Sequence, residues 1–333
     1  MDNQEFKYVA GVDEAGYGPW LGPLVISASV FKISEPPENF WTRLSSAVHA
    51  RIRGAGDKVV VADSKKLYNR KKGLRTLEET VWSFLHLLHG DKINSLEDYI
   101  KHLSCGQVSG CDRYPWYDPN STKLPRVAFT NMTHKKSRAL SECMVEAGIE
   151  FSGVWSERLH AGEFNRILED TDNKSLVEWR AVSYMLLHLA KTFGRDGLLI
   201  IVDRLGGRRR YGRQLFETFG SVRFGKDNAA KLKIVEQKKK RSEYELKGAA
   251  GGIVRIVFEE KADRNHFPVA LASCFSKYLR ELFVESLNNY FTKHDPKLKP
   301  TAGYVKDARR WLADTKELRQ RLGVNRVLLV RAR

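Results

Sequence analysis

Three short apolar runs that each close on an acid constrain this chain more than any other feature of its sequence. KYVAGVDE at 7–14 closes on Asp13 and Glu14, LLIIVD at 198–203 on Asp203, and GGIVRIVFEEKAD at 251–263 on Asp263. Runs this short and this rich in Val and Ile read as strands. LLIIVD, apolar without interruption, is what a central parallel strand covered on both faces requires. LVISASVFKI at 24–33 reads as the hairpin partner of the first run, joined through a Gly/Pro-rich turn. VVVADSKKL at 59–67 reads as a strand entering a helix cap, and EFSGVWS at 150–156 as a further strand. Helical spacing appears between them: Leu74, Leu77, Val81, Leu85 and Leu88; then Leu176, Trp179, Val182, Leu186 and Leu189 within 174–193; then the long stretch 270–291 and WLADTKELRQRLGV near the end. Strands alternating with helices predict an α/β core.

The predicted organisation is a core over 1–268, carrying insertions near 34–57, 91–148 and 204–250, followed by a helical part over 269–333. The first insertion holds Pro36, Pro37, Gly54 and Gly56. In the second, CDRYPWYDPNSTKLP is rich in turn formers and aromatics and reads as a surface loop. No internal repeat is visible.

In an open α/β sheet, sites form beyond the carboxyl ends of the strands. Acids at the ends of neighbouring strands therefore converge, and carboxylates held together repel unless a cation neutralises them. Four carboxylates without histidine or cysteine suit a hard divalent ion such as Mg²⁺ or Mn²⁺. Two such ions about 4 Å apart are the usual engine of in-line phosphodiester hydrolysis. The bland alternative is a set of solvated acids capping strands. Charge favours the first reading: 57 Lys and Arg against 40 Asp and Glu leave +17, which predicts a polyanionic partner, most often nucleic acid. About half of that excess lies in 204–247, where 14 basic residues face 5 acidic ones. That stretch contains RRRYGR, KKKR, and the aromatics Tyr211, Phe216, Phe219, Phe224 and Tyr244. It reads either as an extension of a nucleic-acid surface or as a solvated loop with an ordinary helix face.

No apolar run reaches the roughly 18 residues of a membrane span. MDNQEFKYVAGVDE is too polar for a signal peptide, so a cytoplasmic protein without a membrane partner is expected. Four cysteines are too few for a disulfide framework. Cys105 and Cys111, near His102, fit no common zinc spacing.

GVDEAGYGPWLGPLV at 11–25 resembles the opening motif of the type 2 ribonucleases H (ribonucleases HII and HIII), G-(I/V)-D-E-A-G-R-G-x-x-x-G-P. ADSKKL at 62–67 is similar to the family's D-S-K-x-L, and IIVDR at 200–204 to the strand carrying its next aspartate. KADRNHFPVALASCFSK at 261–277 resembles K-A-D and the helix that follows it. AGYVKDARRWL at 302–312 is similar to G-Y-P-S-D-P-x-T. The five matches keep the family's order and, with their surroundings, cover roughly half of the chain.

The resemblance implies a ribonuclease H-like fold: a mixed central sheet flanked by helices, then a helical C-terminal part. It implies an endoribonuclease that cleaves the RNA strand of RNA–DNA hybrids, or cuts at ribonucleotides embedded in duplex DNA, using two divalent ions, Mg²⁺ or Mn²⁺. Asp13, Glu14, Asp203 and Asp263 would be the catalytic, metal-holding acids. Gly16, Tyr17 and Gly18 would read the ribose 2′-hydroxyl, the local mark of RNA. Ser64 and Lys65 would hold phosphates, Lys277 is a further phosphate candidate, and Tyr304 would pack on a sugar. Three positions depart from the family. Tyr17 replaces the arginine of G-R-G, Arg204 follows Asp203 in place of glycine, and Glu281 replaces an aspartate and is expected to pair with Lys277 one helical turn before it. Two rival readings stay open: a nuclease of this fold with an altered nucleic-acid substrate, and a non-catalytic nucleic-acid-binding protein. No protein partner is inferable; the end VNRVLLVRAR holds no recognisable sliding-clamp peptide.

Overall fold

Seven strands form the central sheet of the computed structural model, which describes residues 6–35, 39–68, 73–106, 110–220, 231–247 and 252–332. In chain order they are β1 (Tyr8–Ala15), β2 (Leu24–Ile33), β3 (Ile149–Leu159), β4 (Leu198–Asp203), β5 (Lys231–Gln237), β6 (Arg241–Lys247) and β7 (Ile253–Glu259). Their spatial order is β3-β2-β1-β4-β7-β6-β5. β1, β4 and β7 run parallel to one another, and the other neighbours pair antiparallel. The hairpin β1–β2 and the parallel central strand β4 are as read from the sequence. The mixed sheet with helices on both faces and a helical C-terminal part is the architecture that the resemblance implies.

Alternation along β1 sends Val9 into one core and Ala10 and Val12 into the other. The first core is closed by α1 (Arg75–His89), by α3 (Thr130–Glu146) and by the long α7 (Phe267–His294); α2 (Leu96–Leu103) joins it. The second is closed by α4 (Ala161–Thr171), α5 (Lys174–Phe193) and α6 (Gly212–Phe219). α7 is apolar nearly all round, as a helix covered on most sides must be. It lies so close to β1 that a Cβ at Gly11 would fall inside the backbone of Pro268 and Val269. Ser29 fastens the same contact, donating to the Pro268 carbonyl at 2.7 Å. α8 (Val305–Asp314) and the helix Lys316–Arg321 complete the C-terminal part.

Three sequence expectations are corrected, and one further element is placed. The run at 59–67 is a strand entering a helix cap, as read: Val59–Val60 pairs with Val48–His49 in a separate small sheet, and the helix Ser64–Leu67 follows, capped by Asp63. The aromatics of CDRYPWYDP do not line a surface loop. Tyr114, Trp116 and Tyr117 are buried, packing with one another and against His160 and Phe283, because three large rings gain more in the core than in water. In the basic stretch, Tyr211, Phe219 and Tyr244 are core residues. Tyr211 stacks on Phe258 with ring centroids 3.6 Å apart, and its N–H donates to the Tyr244 hydroxyl at 2.8 Å. Phe216 is exposed; Phe224, Pro36 and Pro37 lie outside the described residues. Finally, Asp263 does not end β7. The strand ends at Glu259, and Asp263 sits on the four-residue helix Ala262–Asn265.

Candidate active site

β1, β4 and β7 release the chain at one edge of the sheet, and the acids gather there. Asp13 and Asp203 follow the paired residues Val12 and Val202 on adjacent parallel strands. By alternation both face the α7 side, whereas Glu14 faces the α5 side. The Ser276 hydroxyl on α7 donates to the Asp13 carbonyl at 2.9 Å, and the Glu14 N–H donates to Asp13 Oδ1 at 2.8 Å. Asp263 arrives by a turn: Lys261 takes a left-handed conformation (φ 61°), a costly geometry typical of functional sites. The short helix then begins, and its Ala262 N–H donates to Asp203 Oδ1 at 2.8 Å. Glu259, the acid at the strand end, is taken up structurally by Asn265 and Arg241.

Electrostatics tie the four acids into one site. Burial, then repulsion from Glu14, Asp203 and Asp263, holds Asp13 well above the usual carboxylate range. Burial and Asp203 push Glu14 up to about 7. Asp263 is pushed up to about 6 by burial, Asp63 and Asp203. Burial raises Asp203 against the backbone N–H groups that favour its ionised form. The exposed Lys65 offsets part of the strain at Glu14, Asp203 and Asp263. Such mutual repulsion among oxygen-only donors fits a site for hard divalent cations. Glu14 Oε2, buried and without a hydrogen-bond partner, fits it too. Among the described residues, His86, Asp91 and His134, away from this edge, are the set whose ligand atoms all lie within 4.8 Å of one another.

The other predicted residues surround this edge. Gly16 has φ +96°, and a Cβ there would meet the Pro23 carbonyl and Arg280 at 2.6 and 2.8 Å, so glycine is required. Gly18 faces open space. Tyr17 is half-buried and carries the Lys174 ammonium 5.0 Å from its ring centre. Tyr304 is exposed, with the Arg280 guanidinium 5.6 Å from its ring. Ser64 is buried, its N–H donating to Ser273 Oγ at 3.2 Å. Lys277 does pair with Glu281, at 2.6 Å, and lies 4.9 Å from the Tyr68 ring.

Three residues near the site escaped sequence reasoning. Asp63 caps the Ser64–Leu67 helix, accepting from the Lys65 N–H at 3.0 Å, and raises Asp263; its signal was the first letter of the D-S-K match. Glu178, on α5, repels Glu14 and is 1% exposed; its place between Val177 and Trp179 on a core helix was the available hint. Arg280 is equally buried and joins Glu281 (2.8 Å), the Ala302 carbonyl (3.0 Å), Gly16 and Tyr304. A charged residue inside an all-round apolar helix was its signal.

Fold and acid edge together define an α/β protein of ribonuclease H-like architecture. No family model matches the chain. Ribonuclease HII of Xylella fastidiosa, in strains M12, M23 and Temecula1, is 40% identical over 74 residues, covering 20% of this chain and 32% of the relative. The chain thus spans about a third of the length of these curated relatives. Among solved structures, the ribonuclease HII complex with PCNA from Archaeoglobus fulgidus aligns over 98% of this chain and 94% of that one, with TM-score 0.44 and 16% identity. Ribonuclease H2 from Pyrococcus horikoshii OT3 aligns over 97% and 92%, with TM-score 0.40 and 16% identity. The curated relatives bear out the resemblance to the type 2 ribonucleases H. No helix among the described residues is long and apolar enough to cross a membrane.

Proposed function

We propose that this chain is an endoribonuclease of the type 2 ribonuclease H kind. It cleaves the RNA strand of RNA–DNA hybrids, or cuts duplex DNA at embedded ribonucleotides, with two divalent ions, Mg²⁺ or Mn²⁺, held by Asp13, Glu14, Asp203 and Asp263. The observation that carries this reading is the convergence of these four acids, from three separate elements, at one sheet edge, where burial raises all four and neighbouring carboxylates raise Asp13, Glu14 and Asp263 further. Bound there, divalent ions supply Lewis-acid chemistry that makes water a nucleophile and steadies a leaving oxygen. The chain's own residues do the rest. Lys65 places a cation beside the acids for the incoming phosphate. Ser64, at the start of the same short helix, is the second phosphate candidate. Gly18, with no side chain and open space before it, admits a sugar to the backbone. Tyr304 offers an exposed ring for the neighbouring sugar, braced by Arg280. Lys277, oriented by Glu281, keeps its remaining N–H bonds for a phosphate oxygen.

One observation favours an altered substrate choice within this reading. Where the family motif has an arginine, Tyr17 carries Lys174 above its ring, so the cation there comes from α5. The test uses three end-labelled duplexes: DNA with one ribonucleotide, a full RNA–DNA hybrid, and plain DNA, each with Mg²⁺ and Mn²⁺. Metal-dependent cutting at ribonucleotides, lost in Asp13→Asn and Asp203→Asn with binding retained, is expected. Full activity in either variant refutes the site. Tight binding with no cleavage under either ion means a binding protein instead, and cutting of plain DNA means a nuclease of a different kind.

A further inference from the structure

The run KKKR at 238–241 is not one uniform patch of charge. Its arginine is neutralised by neighbouring acids: Arg241 pairs with Glu243 at 2.9 Å and Glu259 at 3.2 Å. Lys238 pairs with Glu236. Among the described residues no acid pairs with Lys239 or Lys240, and both are exposed. These residues form the tight turn between β5 and β6, closed by the Lys238 N–H donating to the Arg241 carbonyl at 2.8 Å.

The turn's position is set by the register. Arg241 lies opposite Glu259, so the turn stands at the edge where β1, β4 and β7 release the acids. Two hydrogen bonds fasten it there by its backbone. Arg204 Nη1, one residue after Asp203, donates to the Lys239 carbonyl at 3.0 Å. The Glu260 N–H, three residues before Asp263, donates to the Lys240 carbonyl at 2.9 Å. Arg204, a departure from the family's glycine, thus acts as a strut, completed by its 3.3 Å pair with Glu260. The backbone of both lysines is thus tied to the acid-bearing edge, while both residues are exposed to solvent. Edge-strand lysines such as Lys231 and Lys233 are explained by protection against strand pairing; lysines in the turn are not.

We propose that Lys239 and Lys240 are a phosphate clamp for the nucleic-acid duplex, on the flank of the scissile bond opposite Gly16–Gly18 and Tyr304. The sheet order requires this division. The acids lie on β1, β4 and just past β7, the glycine loop and Tyr304 on the β1–β2 side, and the turn beyond β7. Lysine suits the task, because a flexible point charge holds a phosphate without reading sequence. The inference rests on the proposed function only for which duplex is bound.

The test measures binding of the full chain, in EDTA to prevent cleavage, to a duplex with one central ribonucleotide across a salt series. In Lys239→Ala/Lys240→Ala the slope of log affinity against log salt falls by about 2, and affinity at 0.1 M salt falls roughly tenfold or more. Lys239→Arg/Lys240→Arg retains both. Shortening the duplex on one flank removes the difference between wild type and the alanine variant, while shortening the other flank leaves it. An unchanged slope overturns the clamp, as does equal loss in the arginine variant or indifference to which flank is shortened. Failure of the wild type to cut any ribonucleotide-containing duplex strikes the proposed function instead, because the salt slope is read without cleavage.

Discussion

Replacing Glu178 by glutamine should make the metal-free protein more stable at high pH and change it little near pH 5.5. Glu178 is 1% exposed, and its Oε1 has no hydrogen-bond partner. Burial, followed by repulsion from Glu14, lifts its pKa from 4.5 to about 8 against the pull of Arg208 and Lys174. A carboxyl with a higher pKa in the folded state binds its proton more tightly there than in the unfolded chain. Stability is therefore lost as pH rises from 4.5 through about 8, and levels off above that. Full ionisation corresponds to roughly 5 kcal/mol of native-state destabilisation, an order-of-magnitude figure. A buried amide without full hydrogen bonding costs about 1–3 kcal/mol at every pH. Glu178→Gln should therefore gain on the order of 3 kcal/mol at pH 9 and little or nothing at pH 5.5. Urea unfolding in EDTA across pH 5.5–9.5, with both proteins side by side, reads the difference directly. Parallel stability curves for the two proteins would refute the reasoning, because a solvated Glu178 would produce them.

Three further expectations follow from other sites. Glu78, fully buried on α1, accepts from the backbone N–H groups of Arg126 (2.5 Å), Val127 (2.5 Å) and Ala128 (2.6 Å) and from the Tyr278 hydroxyl (2.6 Å). Glu78→Ala strands four donors and should cost about 3–5 kcal/mol in urea unfolding; a loss under about 1 kcal/mol would show that water replaces the carboxylate. Gly11→Ala forces β1 away from α7 and should destabilise by about 3 kcal/mol or more while displacing Asp13, seen as a lowered melting temperature with lost cleavage. Tyr17→Arg, which restores the motif's arginine, should raise cleavage at a single ribonucleotide relative to the full hybrid several-fold; an unchanged ratio would remove Tyr17 from substrate choice.

Much of the site was legible because strand chemistry is local. A run such as LLIIVD declares a buried parallel strand by composition alone, and the acid after it must emerge at the carboxyl end of that strand. The same locality explains where reading failed. The local sequence places Asp263 at a strand end, because no local signal announces a left-handed Lys261 and a four-residue helix. Tyr211 and Tyr244 stand in the sequence among basic residues, yet both rings close the second core.

The sequence by itself determined five of the seven strands (β5 and β6 lie in the stretch it reads as an insertion), the helices α1, α5 and α7, the excess of positive charge and the four acids. Each of these follows from residue type and short-range periodicity. Tertiary structure decided which charges are neutralised and which stay free. Within one run of four basic residues, Arg241 is absorbed by Glu243 and Glu259 while Lys239 and Lys240 are exposed, because strand register sets which side chains meet. Tertiary structure likewise brought Glu178 against Glu14 and Arg280 beneath Gly16 and Tyr304. Burial and repulsion depend on neighbours distant in the chain, so the energies that define this site exist only once the sheet and its helices have closed around it.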